Sequence, residues 1–367
     1  MAKTSKIGGL YVTDDYIDAT YGEADVLQKG APAGLFSLKI LDSERFLFRD
    51  QKPSKFGTKR IEATFDLATA WMFENTGGIE KLGIGCYGPF KTLDWSIPTS
   101  ARIDQGYGHI DSTIHPKLAQ RNLFLIVKES FERIQESVPE IRIQTDANVA
   151  ALGELYHRHV LNGQWIDDGK NQVISFLKFS RGVGGGVVYG DKLWGGRLHP
   201  EMGQIRVERW KSEIEAETKA EEIFPGVCEY HGGCLEGLSS SGAFTRRWDK
   251  EYWAIKDKDH VAWDRQAHYV AQLCVNVTCL FAPSRIVLGG SLVADGDVIT
   301  KVREKFSALM GKTPKNYYPS YPDLFKDDYI DGFTIPEDGI GSGVRGATIL
   351  AATLFPKLDV VSEFQSR

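Results

Sequence analysis

Short apolar runs of strand length alternate along the chain with longer stretches in which apolar residues recur at helical spacing. The runs bounded by glycine or polar residues predict strands, and these lie at Lys81–Gly85, Ile141–Gln144, Val173–Phe179 and Arg285–Leu288. The longer stretches predict helices, and these lie at Ile61–Glu74, Leu123–Ser137, Val149–Val160, Ser239–Trp248, Asp264–Pro283, Asp297–Met310 and Val344–Leu354. Strands that alternate with helices predict an α/β fold.

Several segments lack a clear period. Residues 1–25 become acidic and aromatic toward their end and are interpreted as an N-terminal extension, and the runs within 26–50 suit a β-hairpin. Residues 95–114 have the composition of a long loop, which is usually functional in a compact fold. The charge-rich residues 211–222 suit a solvated segment, and a strand is predicted at 333–336, just before the glycine-rich residues 339–343.

The length of 367 residues suits two domains, each large enough for its own core. We expect an N-terminal α/β domain over 26–140, to which the C-terminal helix 344–367 returns, and a larger C-terminal α/β domain over 141–343. The net charge of −5 gives no reason to expect nucleic acid as a partner. No apolar run reaches the length of a membrane span and the first residues lack a signal-peptide core, so we expect a cytoplasmic protein without a membrane partner.

One segment combines a glycine cluster with a polar cluster. Gly182, Gly184 and Gly185 follow the strand at 173–179, and backbone without Cβ atoms can approach a phosphate closely. The sequence His199-Pro200-Glu201-Met202-Gly203-Gln204 then offers a carboxylate to a polar small molecule. The alternative for the glycine cluster is a hairpin without a ligand, since short motifs match by chance.

Asp146 and Asn148 follow the strand at 141–144 and precede a helix. In open α/β sheets, ligands bind at the carboxyl ends of the strands, so this position favours a functional carboxylate. The alternative is that one of these residues only caps the helix. Spacing does not separate the two roles.

The five cysteines are odd in number and scattered, which argues against a disulfide framework. Cys228, His231 and Cys234, in contrast, have spacing suited to zinc. A closed zinc site takes four ligands, and His199 or a water could supply the fourth. The alternative is a metal-free loop that packs through its own hydrogen bonds.

Together these segments resemble the ROK family of sugar kinases (repressor, open reading frame, kinase), and within it the bacterial fructokinases. The resemblance runs from about Lys81 to about Ala352 and rests on the order and spacing of its segments. These are Gly85-Cys86-Tyr87-Gly88-Pro89-Phe90, Thr145-Asp146-Ala147-Asn148, Gly182-Val183-Gly184-Gly185-Gly186, His199-Pro200-Glu201-Met202-Gly203, Cys228-Glu229-Tyr230-His231-Gly232-Gly233-Cys234, Gly289-Gly290 and Gly341-Ser342-Gly343.

The resemblance implies a two-lobed actin-like ATPase (ribonuclease H-like) fold with its active site in the interdomain cleft. It implies transfer of the ATP γ-phosphate to a hexose, with Mg²⁺ as a cofactor and Asp146 as the general base. It also implies a structural zinc and a homodimer. The residues implied to bind sugar are Gly88, Asn148, Glu201, Gln204 and Glu236. Those implied to bind the nucleotide are Gly182, Gly184, Gly185, Gly289, Gly290 and Gly343, and we expect Arg181, which departs from the family pattern, to bind there as well. Taken alone, Glu201 or Glu236 would suit a solvated loop carboxylate.

Three departures from the family pattern bear on activity. The family's first phosphate loop has an acid before Gly-Gly-Thr, and its counterpart is placed at Gln28–Gly34, which lacks the acid and the threonine. Arg181 replaces a threonine of the second phosphate loop, where it could bind phosphate, block the site or pair on the surface. Gln204 replaces a histidine that ordinarily binds zinc near the sugar, and an amide oxygen is a weak zinc ligand.

These departures leave a second hypothesis, a non-catalytic sugar-binding member of the family whose nucleotide site has decayed. The third possibility, a DNA-binding repressor, is disfavoured because residues 1–25 are too short and too acidic for a helix-turn-helix domain.

Overall fold

The structure is a computed structural model of the whole chain. It describes residues 4–25, 37–48, 60–90, 106–111, 117–135, 137–161, 164–165, 172–190, 192–196, 199–210, 224–258, 260–311, 321–334 and 336–352. The predicted loop over 28–34, the solvated segment 211–222, most of the loop 95–114 and the chain after 352 lie outside these residues.

The chain divides into two compact units, which confirms the predicted two-lobed α/β class. Unit 1 comprises residues 1–171, 189–199 and 335–367, and unit 2 comprises residues 172–188 and 200–334. The main division therefore lies near residue 171 instead of residue 140. The reason is that the strand that begins at residue 140 pairs with the sheet of unit 1, and the helix after this strand packs against that sheet.

Unit 1 contains a five-stranded sheet of order β3-β2-β1-β4-β5. Its strands are β1 (Thr4–Val12), β2 (Tyr16–Asp25), β3 (Ser37–Leu47), β4 (Lys81–Cys86) and β5 (Glu140–Thr145). β1, β2 and β3 are antiparallel neighbours, whereas β1, β4 and β5 run parallel. The prediction of an N-terminal extension is wrong, because β1 and β2 are inner strands that bury Ile7, Leu10 and Ile17. The hairpin predicted over 26–50 is also wrong, because β3 is one continuous strand along β2.

Four helices of the described residues belong to unit 1. They are α1 (Arg60–Thr76), α2 (Leu123–Glu132), α3 (Asp146–His159) and α8 (Ser342–Ala352). α1 ends where Gly77 and Gly78 adopt positive φ. Two short strands, β6 (Val160–Leu161) and β7 (Gln164–Trp165), pair with each other after α3.

Glycines let α8 pack closely within unit 1. A Cβ added at Gly346 would lie 1.6 Å from the carbonyl oxygen of Val149, and one at Gly153 would lie 2.0 Å from that of Ser342. A Cβ at Gly83 of β4 would lie 1.9 Å from the carbonyl oxygen of Ala347. These contacts are with backbone, so the helices and the strand could not keep their positions around larger residues.

A second five-stranded sheet has the order β10-β9-β8-β11-β12. Its strands are β8 (Val173–Phe179), β9 (Val183–Tyr189), β10 (Lys192–Leu193), β11 (Arg285–Gly289) and β12 (Ile330–Gly332). β10 falls in the segment 189–199 of unit 1, and unit 2 contains β8, β11, β12 and most of β9. Its helices are α4 (Leu235–Ser239), α5 (Ser241–Trp248), α6 (Val261–Phe281) and α7 (Gly296–Leu309). β8, β11 and β12 run parallel. The strand expected at 333–336 lies slightly earlier, at 330–332.

The core of unit 2 is a single cluster of buried residues that includes Leu177, Leu238, Tyr269, Leu288 and Phe306. Across the part of the chain that the structure describes, no helix is long and apolar enough to span a bilayer.

Candidate active site

Three parallel strands of unit 1 end at the same level. Val12 pairs with Cys86, and Cys86 pairs with Thr145, so the residues that follow these three strands share one edge of the sheet. Those residues are the turn after Val12, Tyr87 with Gly88, and Asp146. The carboxyl edge of parallel strands is the usual place for ligands in α/β sheets.

Asp146 is the first residue of α3 and is buried, with 9% of its surface exposed. Its Oδ1 accepts a hydrogen bond of 2.8 Å from the backbone N–H of Ala147. The N–H of Asn148 donates instead to Thr145 Oγ1, at 3.3 Å. Asp146 therefore contacts the helix N-terminus, as the capping alternative requires, and a carboxylate can accept several hydrogen bonds.

Asn148 is almost fully buried, at 1% exposed, beside Asp146 in the first turn of α3. Its Nδ2 donates to Gln144 Oε1 at 3.0 Å, which fixes the orientation of the amide. Its Oδ1 is buried and accepts no hydrogen bond from the described residues. A buried amide oxygen of this kind is costly unless a water or a ligand donates to it.

Gly88 lies beside His199, another residue of unit 1. A Cβ at Gly88 would lie 3.2 Å from Nε2 of His199, so the glycine allows the imidazole to approach the turn after β4. His199 therefore contacts Gly88. The residue beside the two cysteines is Gln204, whose Oε1 lies 3.5 Å from Cys228 Sγ and 3.5 Å from Cys234 Sγ.

The turn between β1 and β2 was missed by the sequence analysis. It consists of Thr13, Asp14 and Asp15, at the sheet edge that also carries Asp146. Thr13 Oγ1 accepts from the N–H of Tyr16 at 3.1 Å, and Asp15 Oδ1 lies 3.3 Å from Lys117 Nζ. This turn has the acid and the threonine that residues 28–34 lack. The signal was an acidic turn after a run with strand-like apolar positions.

The glycine cluster of unit 2 lies in the hairpin of β8 and β9, and its binding of phosphate stays a prediction. The turn is only Ser180, Arg181 and Gly182, closed by a bond of 2.9 Å from the N–H of Ser180 to the carbonyl of Gly182. Gly184 and Gly185 lie within β9, and a Cβ at Gly185 would lie 2.2 Å from Met202 Sδ. Arg181 is exposed at the tip of the turn.

Glu236 is fixed against this turn. It lies in α4, is 8% exposed, and its Oε2 accepts from the N–H of Val183 at 2.9 Å. Its Oε1 accepts from Gln204 Nε2 at 3.1 Å. Gly182 leaves the space for this contact, since a Cβ there would lie 2.8 Å from Oε2. Glu236 is thus not a solvated loop carboxylate, whereas Glu201 is exposed.

Cys228, His231 and Cys234 come together as the spacing predicts. One possible ligand atom from each residue lies within 4.8 Å of the others. The loop is folded by paired bonds between Cys228 and Gly232 and by the N–H of Val227, which donates to the carbonyl of Gly237 at 2.9 Å. Burial raises the pKa of the Cys234 thiol to about 11, so without a metal this thiol is protonated at neutral pH. The soft donor set fits a zinc ion.

Gly289 and Gly290 lie at the carboxyl end of β11. A Cβ at Gly289 would lie 2.4 Å from the ring of Phe176, and Gly290 has a φ of +92°. Ser291, the next residue, lines a cavity of about 440 Å³, whose other walls include Tyr252, Trp253, Trp263 and three lysines. The sequence analysis did not single out these walls, although aromatic and lysine residues are frequent in 252–263.

Gly343 belongs to unit 1, in the first turn of α8. A Cβ there would lie 2.4 Å from the ring of Tyr11, so this glycine accommodates an aromatic residue of β1. Its predicted place at the nucleotide stays a prediction.

Comparison with known proteins gives three concordant findings. The model of the ROK family matches residues 38–353. A fructokinase of Lactococcus lactis subsp. cremoris is 28% identical over 324 residues, which cover 88% of this chain and 95% of that protein.

Two solved structures share the two-lobed actin-like ATPase fold. The ROK hexokinase of Thermus thermophilus has a TM-score of 0.61 at 18% identity, over 94% of this chain and 97% of that one. A ROK family glucokinase of Streptomyces griseus, solved with glucose and AMPPNP, has a TM-score of 0.58 at 19% identity, over 94% and 99% of the two chains.

Proposed function

Because the chain belongs to the ROK family of sugar kinases, we propose that it transfers the γ-phosphate of ATP to a hydroxyl of fructose. The choice of fructose is supported by the similarity to a fructokinase. The choice of ATP is supported by the glucokinase of the same fold, whose structure contains an ATP analogue.

The observation that carries the proposal is the position of Asp146. It is a buried carboxylate at the carboxyl edge of parallel strands, beside Asn148 with its unsatisfied amide oxygen. Asp146 accepts the hydrogen bond of the attacking sugar hydroxyl and takes its proton as the oxygen bonds to the γ-phosphorus. The bond from phosphorus to the bridging oxygen breaks, and ADP leaves. Asn148 Oδ1 accepts a hydrogen bond from a second sugar hydroxyl.

Further residues contribute to sugar binding. Glu201 and Glu236 accept hydrogen bonds from sugar hydroxyls, because carboxylates offer acceptors only. Gly88 leaves room for the sugar.

The nucleoside occupies the cavity after Gly290, where aromatic side chains suit a base and lysines suit phosphate. Gly182, Gly184, Gly185, Gly289 and Gly343 bind the nucleotide through backbone N–H groups, because protein atoms already fill the space where a Cβ would lie at Gly182, Gly185, Gly289 and Gly343.

The protein is proposed to bind two metals, Mg²⁺ with the nucleotide and a structural zinc. Asp14 and Asp15 offer the hard oxygen ligands that Mg²⁺ prefers, and Mg²⁺ neutralises phosphate charge when bound. Cys228, His231 and Cys234 hold a structural zinc, which would stabilise their loop. We also propose a homodimer, which light scattering of the purified protein would test.

The test is ADP formation by the purified protein with MgATP and a panel of hexoses. We expect ADP release that depends on the sugar and is fastest with fructose. Sugar binding without ADP release for any hexose would contradict the kinase proposal and favour the non-catalytic sugar-binding protein.

A further inference from the structure

Gln204 lies at the centre of the cysteine and histidine cluster. Its Oε1 is 3.5 Å from Cys228 Sγ, 3.5 Å from Cys234 Sγ and 2.8 Å from His231 Nδ1. A carbonyl oxygen has two lone pairs, so three hydrogen bonds to this one atom would exceed its ordinary capacity. A cation between the four atoms would explain why they converge.

The separations also suit zinc. For Zn–S bonds of about 2.3 Å and Zn–N or Zn–O bonds of about 2.0–2.2 Å, tetrahedral ligands lie roughly 3.3–3.8 Å apart. Gln204 Oε1 lies within this range of both sulfur atoms, and Cys228 Sγ lies just above it, 3.9 Å from His231 Nδ1. The 2.8 Å between Gln204 Oε1 and His231 Nδ1 is the length of a hydrogen bond, so the imidazole would move away by roughly 0.5 Å when a metal binds. Four donor atoms are the number that a closed structural site takes.

The orientation of the Gln204 amide is fixed by its other end. Nε2 donates to Glu236 Oε1 at 3.1 Å, and this carboxylate can only accept. Turning the amide by 180° would place its oxygen against the carboxylate and its NH₂ against the thiols and the imidazole. The chemistry of the neighbours therefore assigns the oxygen to the cluster.

We propose that Gln204 Oε1 is the fourth ligand of the metal and that the Gln204 amide connects the metal loop to Glu236. This inference rests on the zinc site proposed above. Glu236 in turn holds the N–H of Val183 next to the turn with Arg181, so the metal positions a carboxylate of the sugar site and the start of β9. Gln204 thus positions Glu236. Although Gln204 replaces the histidine of the family pattern, it still serves as a ligand in the metal site.

The test replaces the zinc by Co²⁺, whose visible spectrum reports its ligands, in the full-length protein without sugar or nucleotide. The parent should show bands from thiolate ligands that azide does not change, because a closed site has no open position. In Gln204→Leu the spectrum should change and respond to azide, and zinc affinity should fall by about 10–100-fold. Gln204→His supplies a nitrogen ligand and should restore an azide-insensitive spectrum and the affinity of the parent.

The matched control is Glu208→Leu, which changes an exposed residue of the same segment and should behave as the parent. A parent spectrum that azide changes would overturn the inference, because water would then be the fourth ligand. So would an unchanged zinc affinity and spectrum in Gln204→Leu, or a parent that binds neither metal. None of these readouts depends on catalysis, so a lack of kinase activity would contradict the proposed function and leave this result intact.

Discussion

The exchange Glu236→Gln keeps the shape of a side chain that two neighbours need as an acceptor. Glu236 Oε2 accepts from the N–H of Val183 and Oε1 accepts from Gln204 Nε2. A glutamine at 236 has one oxygen and one NH₂ group, so whichever way it turns, one donor faces another donor. The site is 8% exposed, so water cannot readily relieve this conflict.

The expected cost follows from the lost bond. Removing a hydrogen bond to a charged acceptor, and so leaving its buried donor unpaired, costs about 1.5–3 kcal/mol in all. For a domain of this size, about 1 kcal/mol corresponds to roughly 2–4 °C, so we expect the melting temperature to fall by roughly 3–12 °C. The KM for the sugar should rise about tenfold or more, because the same carboxylate is proposed to bind a hydroxyl.

Gln204 could relieve the conflict by turning its own amide, but its NH₂ would then face the cysteines and His231. We therefore expect the zinc affinity of Glu236→Gln to fall as well. Glu201→Gln is the matched control, because Glu201 is exposed, and it should raise the KM without lowering the melting temperature. Differential scanning calorimetry, sugar kinetics and zinc titration measure the three effects. A Glu236→Gln variant that melts like the parent and keeps its zinc affinity would show that Glu236 is not needed as the acceptor for Val183 and Gln204.

Three further predictions concern other parts of the chain. Arg181→Ala should weaken ATP binding or slow transfer by about tenfold or more, as the loss of a charged hydrogen bond to phosphate implies, while Arg246→Ala, at an exposed site, should have little effect. Increased activity of Arg181→Ala would instead indicate that the arginine blocks the site. Gly346→Ala should destabilise the protein by about 3 kcal/mol in chemical denaturation, because its Cβ would lie 1.6 Å from a carbonyl oxygen. Gly341→Ala, where the Cβ meets nothing within 4 Å, is its control and should be nearly neutral. Removal of zinc by a strong chelator should lower the melting temperature, whereas elemental analysis that finds no zinc, together with a chelator-insensitive melting curve, would exclude the metal.

Periodicity predicted the parallel strands β4, β5, β8 and β11 because they are buried runs between glycine or polar residues. It missed β1 and β2, since Gly8 and Gly9 interrupt the apolar pattern. These glycines reflect tertiary packing that no local pattern reveals. A Cβ at Gly9 would lie 2.4 Å from Thr348 Oγ1, a contact between residues more than 300 positions apart.

Only part of the candidate site could be predicted from the sequence, because some of its contacts are local and others depend on tertiary packing. The cysteine and histidine spacing predicted a local cluster, because all three ligands lie in one short loop. The proposed role of Gln204 in the metal site could not be predicted from the sequence, where an amide oxygen suggests only a weak ligand. The role depends on tertiary contacts, because the Gln204 amide has a carboxylate at one end and the two cysteines and His231 at the other. The turn Thr13–Asp15 was missed because the strands that position it were missed.

If Asp146 takes the proton of the sugar hydroxyl during phosphoryl transfer, the Asp146→Asn variant should lose the chemical step and keep the sugar site. Single-turnover formation of sugar phosphate should be measured for the parent, for Asp146→Asn and for Asp327→Asn, which changes an exposed carboxylate as a control. We expect a rate about 10²–10⁴-fold lower in Asp146→Asn, with fructose binding largely retained and the control unchanged. A rate near that of the parent in Asp146→Asn would show that Asp146 is not the general base.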